Sequence, residues 1–239
     1  SLTFVMTVGG SRRSATIPGT TSHNERLDVY ARALVLIAGL PGTGKSRLSQ
    51  LVCEALGPLT EISIDPIKES TWDREGFDSL EEKRMLDGVA LSQFFSLIER
   101  SMQRSERIIA DYPLSEKQRP ELECLCAAHS YRPVTVRMTA DLDVLYERQR
   151  RRDLDDSRHL GHISHRYHVG DTCLDRSQAP GLLTREEFVR RCTTRGYDTF
   201  ALGPVKEVDT SDFSAVDYPA VIAWIADQYR AGEVHDESP

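Results

Sequence analysis

A chain of 239 residues with 39% apolar and 28% charged residues fits one globular domain, with room for an inserted lid. Its formal net charge of −7 argues against a main role in coating nucleic acid, while leaving room for a local basic groove. No apolar run nears the ~20 residues of a membrane span, and no apolar stretch follows Arg12 and Arg13 as in a secretory leader, so the expectation is a cytoplasmic protein. The cysteines (Cys53, Cys124, Cys126, Cys173, Cys192) are scattered. Cys124-x-Cys126 is too tight for zinc, which points to reduced thiols.

Residues 1–30, rich in Gly, Ser, Thr and Arg and without periodicity, read as a flexible N-terminal arm, with Met6 a candidate natural start. The domain is expected over 31–233. "ALVLIA" (33–38) is a short strand. "RLSQLVCEAL" then puts Leu48, Leu51, Val52 and Ala55 on one helical face. "LTEISI" (59–64) is a second strand ending at Asp65-Pro66. A long helix over about 79–105 carries the stripe Leu86, Ala90, Phe94, Leu97 and Ile98. Strand "RIIA" (107–110), a helix near 120–129 and strand "PVTVRM" (133–138) follow. Asp141 is a candidate N-cap for helix 142–152. Residues 153–183, polar and aperiodic, are read as the lid. Thr184-x-x-Glu187 spells a capping box for helix 185–194, and a strand (205–209) and a helix (219–231) close the pattern. Strands alternating with helices imply a parallel sheet covered on both faces.

The chemistry starts at "GLPGTGKS". Gly39-x-x-x-x-Gly44-Lys45-Ser46 lies between a strand and a helix, the setting in which this pattern cradles a nucleoside triphosphate. Backbone N–H groups from Gly39, Pro41–Thr43 and Gly44 onward would ring the phosphates, although Pro41 itself has none to give. The helix that follows turns its positive end toward the same anion. Lys45 is expected to be exposed at the mouth and to reach the β/γ-phosphates, with Arg47 alongside and the Ser46 hydroxyl on Mg²⁺. Asp65, at the end of the second strand, could accept a proton from an attacking hydroxyl or could simply cap a helix. Lys68 could meet an anionic group of the substrate.

"GLPGTGKS", "SIDPIKE", "IIADYPL" and "RHLGH" together resemble the P-loop small-molecule kinase-like ATPases related to chloramphenicol phosphotransferase, zeta-type toxins and polynucleotide kinases. The resemblance spans about residues 33–225. It implies a P-loop kinase-type three-layer α/β fold, Asp65 as the base, and phosphate-binding arginines before the lid. The five parallel strands are expected in the order 2-3-1-4-5.

Asp111, at the end of the third strand, could support Mg²⁺, contact substrate or cap the strand. Arg148 and Arg152 share a helix face beside Arg151 and are the first candidates for the transferring phosphate, with Arg158 next; a solvated charged face is the alternative. His159, His162, His165 and His168 recur every three residues, but Gly161 breaks helical continuity and nothing completes a ligand set, so lid is preferred to metal site. Asp209, Thr210 and Ser211 are candidates to receive adenine and ribose.

The resulting expectation is an ATP- and Mg²⁺-dependent phosphotransferase acting on a small-molecule hydroxyl (antibiotic, sugar or nucleoside-like). A polynucleotide 5′-kinase and a non-catalytic NTP-binding switch are the alternatives. The low pI and few aromatics near the site disfavour nucleic acid. Neither the acceptor nor the oligomeric state is legible.

Overall fold

The computed structural model describes residues 32–230. The expected arm and Met6 lie outside them. Strands β1 (Ala33–Gly39), β2 (Thr60–Ser63), β3 (Ile108–Asp111), β4 (Arg132–Thr139) and β5 (Val205–Asp209) form one parallel sheet in the order β2-β3-β1-β4-β5. Seven helices surround it: α1 (Lys45–Leu56), α2 (Ile64–Glu75), α3 (Leu80–Gln103), α4 (Arg119–His129), α5 (Leu142–Leu154), α6 (Arg185–Thr194) and α7 (Tyr218–Arg230). This is the P-loop kinase α/β fold, and the strand order is the expected one.

Seven consecutive buried residues make β1 the central strand, and the two-residue period of a strand divides them. Leu34, Leu36 and Ala38 face a core that includes Phe94 and Ile98 of α3 and Leu122 and Leu125 of α4. Ala33, Val35 and Ile37 face Leu48 and Val52 of α1 and Val221, Ile225 and Tyr229 of α7. Burying each such Leu, Ile or Val is worth about 1.5–3 kcal/mol, so the run clamps three layers together. No helix among the described residues is long and apolar enough to cross a membrane.

Three expectations need correcting. β2 stops at Ser63, and the chain turns at once into α2, which the sequence offered only as a helix that Asp65 could cap; Ser63, not Asp65, takes the N-cap position. Only Ile64, Thr71 and Trp72 of α2 are buried, too thin a stripe for periodicity to register. Pro66 falls within the first turn, where its missing N–H costs no helical bond, so the helix begins at Ile64 and Asp65 lies inside it. Asp141 stands at the N-cap of α5, but its side chain makes no capping bond. The capping box at Thr184 and Glu187 is formed on both sides.

Candidate active site

The loop's glycines serve different purposes. Gly39, Gly42 and Gly44 all have φ between +86° and +134°, a region side-chain-bearing residues rarely adopt. At Gly39 a Cβ would sit 2.1 Å from the Met138 carbonyl oxygen, so this glycine is required by the pairing of β1 with β4. At Gly44 it would meet the Phe213 ring at 2.9 Å. Gly44 is the residue just before α1, so the helix's unbonded N–H groups open into the loop. Thr43 is buried and donates its hydroxyl to the Leu40 carbonyl at 2.8 Å, bracing the turn.

Lys45 is half-buried, not exposed as expected. Its Nζ donates to the carbonyls of Gly39 and Leu40 at 3.1 and 3.0 Å, folding the side chain back over the loop. Burial lowers its pKa to about 8, against the raising pull of Asp111 and Asp65. Ser46 and Arg47 are exposed.

Asp111 closes β3 and is almost fully buried. Ser63, at the end of the adjacent β2, donates to its Oδ1 at 2.8 Å, while its Oδ2 is buried without a hydrogen-bond partner. Burial raises its pKa, opposed by Ser63, Ser46 and Lys45. An orphaned carboxylate oxygen close to a serine hydroxyl is the hard oxygen pair a Mg²⁺ ion prefers, so these residues fit that ion.

Asp65 lies in the first turn of α2, where a carboxylate also suits the positive end of the helix. Arg158 Nη1 approaches its Oδ2 at 3.2 Å, and Arg152 Nη1 lies at 3.9 Å. Burial pushes its pKa up, but His162, Arg158, Arg152 and Lys68 outweigh burial and hold it down to about 2. One helical turn along, Glu69 accepts from Arg158 at 3.5 Å and meets His162 Nε2 at 2.7 Å. Asp153 stands 3.8 Å from Arg158 Nε. Glu69 and Asp153 were missed in the sequence reading; the i, i+4 spacing from Asp65 was the available signal for Glu69.

Other candidates are placed elsewhere. Lys68 pairs with Asp87 of α3 at 3.4 Å and ties two helices together. Arg148 does not present a free guanidinium to a phosphate. Its two terminal nitrogens donate to the carbonyls of Thr210 and Ser211 at 2.7 and 3.0 Å, and its plane stacks 3.6 Å from the centre of the Phe213 ring. Thr210 is buried, with its hydroxyl on the Thr139 carbonyl, and the Asp209 carboxylate accepts from the Ser211 amide and hydroxyl. The loop after β5 is thus braced from within, and Phe213, absent from the sequence reading, is the side chain it lays over the phosphate loop.

Residues 155–183 pack against α2 and the start of α3. Phe77 and Tyr167 exchange backbone hydrogen bonds at 2.8 Å, and their rings join Trp72 in a small buried cluster. Each of three histidines meets its own carboxylate: His159–Asp73 at 3.0 Å, His162–Glu69 at 2.7 Å and His168–Asp78 at 3.1 Å. Because His159 Nδ1 accepts from the Gly161 amide, its proton must sit on Nε2, facing Asp73. Among the described residues no group of three or more His, Cys, Asp or Glu could hold a metal. Between α5 and this segment lies a cavity of about 460 Å³ walled by Arg148, Arg151, Arg152 and Arg158 together with Glu69 and Asp155.

Among solved structures, the chain is similar to a proposed kinase from Chloroflexus aurantiacus J-10-fl (22% identity, TM-score 0.65, covering 84% of this chain and 98% of that one). A gluconokinase from Sinorhizobium meliloti 1021 (15% identity, TM-score 0.45, covering 84% and 91%) and the tunicamycin resistance protein of Deinococcus radiodurans (15% identity, TM-score 0.47, covering 82% and 95%) are more distant. At 22% identity the likeness to the first of these is one of fold. No curated protein matches in sequence. The AAA domain family matches residues 34–166, more than half of the chain and every element from β1 through the short helical turn at Leu160–His162. The chain belongs to the AAA domain family, a P-loop kinase-like family.

Proposed function

We propose that this protein is a Mg-ATP-dependent phosphotransferase that moves the γ-phosphoryl group to a hydroxyl of a small molecule, with residues 155–183 as its lid. The observation that carries the reading is the placement of Asp65. Its carboxylate stands on the first turn after β2, near Lys45 and Asp111, under two arginines. A nucleotide-binding switch has no need of a carboxylate and guanidinium groups gathered over the γ-phosphate.

In this reading the amides from Gly39 to Ser46 cradle the phosphates and Lys45 moves from the loop carbonyls to the β/γ oxygens. Ser46 and Asp111 would hold Mg²⁺, which neutralises the developing charge when bound. Arg152 takes up charge on the transferring group, while Arg158 faces the acceptor side of Asp65. Arg148 shapes the base side by fixing the Thr210–Ser211 turn and Phe213. The acceptor oxygen forms a bond to the γ-phosphorus as the bond from that phosphorus to the bridging oxygen of ADP breaks, and the hydroxyl proton leaves by way of Asp65. With a pKa near 2, Asp65 stays ionised throughout the physiological range and acts chiefly by accepting the hydroxyl's hydrogen bond and aiming its oxygen. That suits a loose transition state in which the proton leaves late. The scattered free cysteines fit a cytoplasmic setting.

The test is Asp65→Asn, which keeps the shape but not the basicity. ATP binding should persist, while ADP release with acceptor falls by roughly 10²-fold. Unchanged turnover would remove Asp65 from the mechanism.

A further inference from the structure

We propose that the acceptor is a small polar molecule bearing an acidic group, a carboxylate or phosphate monoester, seated on Arg151 and Arg158 in the 460 Å³ cavity. This rests on the kinase reading and names its substrate class.

The cavity has a suitable volume for a small metabolite and an unusual wall. No residue of the phosphate loop lines it, so it is not the triphosphate cradle, yet Arg152 and Arg158 join it to Asp65. Four arginines face two carboxylates, Glu69 and Asp155, around it, and the remaining lining residues, Ser157 and His159, are polar. No aliphatic or benzene-type side chain is present. An uncharged acceptor placed there could stack on a guanidinium but would bring no negative charge to the unpaired Arg151.

The four arginines are not equally engaged. Arg148 is committed to the Thr210 and Ser211 carbonyls. Arg152 has Gln149 at 3.0 Å and Asp65 at 3.9 Å. Arg151 is exposed on the cavity wall and makes no ion pair with any described residue. Arg158 is the decisive one. Its side chain is 11% exposed, its Nη1 is on Asp65 and Glu69, and its buried Nε has no hydrogen-bond acceptor, with Asp153 too far at 3.8 Å. A buried, charged donor without an acceptor is costly to keep, and a planar guanidinium matches the paired oxygens of a carboxylate or phosphate. The acid group would sit on these arginines while a hydroxyl of the same molecule reaches Asp65. The acid group itself is unchanged by the transfer. A nucleic acid would supply anions too, but it needs ring faces for its bases. His159, the one ring among the described wall residues, has its Nε2 on Asp73 and its ring packed beside Trp72 and Tyr167.

Two measurements test this. In the first, wild-type protein and Mg-ATP are offered C4–C6 sugar acids, the matching sugar phosphates, the uncharged sugars, an aromatic alcohol and a single-stranded oligonucleotide, with ADP release as the readout. The acidic classes should win on kcat/KM, and comparing the first two identifies the acid. In the second, protein saturated with Mg-ADP, so that the phosphate loop is filled, is melted with the same compounds. Acids should raise Tm, and Arg151→Gln and Arg158→Gln should each weaken the apparent affinity roughly tenfold, the loss of one charge-assisted hydrogen bond. Preferred transfer to neutral, aromatic or oligonucleotide acceptors would overturn the proposal, as would acids that leave Tm unmoved. Absence of Mg-ATP turnover with every class, alongside acid binding that depends on Arg151 and Arg158, would sink the kinase reading and leave the acid site standing.

Discussion

Lys45 shows how one side chain's surroundings set a measurable behaviour. With its pKa lowered to about 8, its charge is complete below that value and is lost above it. The kcat/KM for ATP, which reports the free enzyme, should therefore fall on the alkaline side from about pH 8, approaching tenfold per unit. Asp65, held near 2, should contribute no acidic limb between pH 5 and 7. A pH series at constant ionic strength checks both statements. Arg148 leads to a different expectation from the one its charge first suggested. Tied to two carbonyls and stacked on Phe213, it governs the loop after β5. Arg148→Ala should raise the KM for ATP several-fold more than it lowers kcat, and the reverse split would return Arg148 to the transferring phosphate. The sequence disclosed the phosphate loop and Asp65 because their chemistry is written in local spacing. Which arginine would be free could not be read, since that depends on carbonyls sixty residues away whose orientation only the fold decides.

Helices with a broad apolar face were legible: α3 carries Ala90, Phe94 and Ile98 at helical spacing. Helix α2 was not, because its chief buried side chain, Trp72, packs against a segment without any periodicity of its own. That docking has a testable strength. Phe77→Ala should cost about 3 kcal/mol, the low end for a buried phenylalanine. The loss should appear first as faster tryptic cleavage after Arg158 and Arg166, with the sheet still intact. Cleavage unchanged at matched temperature would mean that the aromatic cluster does not hold residues 155–183 down. At α6 the reciprocal bonds of Thr184 and Glu187 were foreseen from the sequence alone, and Thr184→Ala should cost about 1 kcal/mol in thermal unfolding. No effect would make the box ornamental.

At the scale of the whole molecule, the parallel order dictates how the chain must come together. β1 pairs with β3, and on its other side with β4, so Leu34 meets Ile108 and Pro133. Contacts so distant along the chain are slow to form, and refolding from denaturant should run in milliseconds to seconds. Microsecond refolding would contradict this topology. The ring of Phe213 against Gly44 takes the point further. During synthesis, the phosphate loop leaves the ribosome long before the residue that covers it. A nascent chain cut anywhere between Ser46 and Phe213 carries the complete phosphate-loop motif without the ring that covers it. If the proposed function holds, ATP affinity should rise only once Phe213 has been made: an earlier segment would wait for a later one.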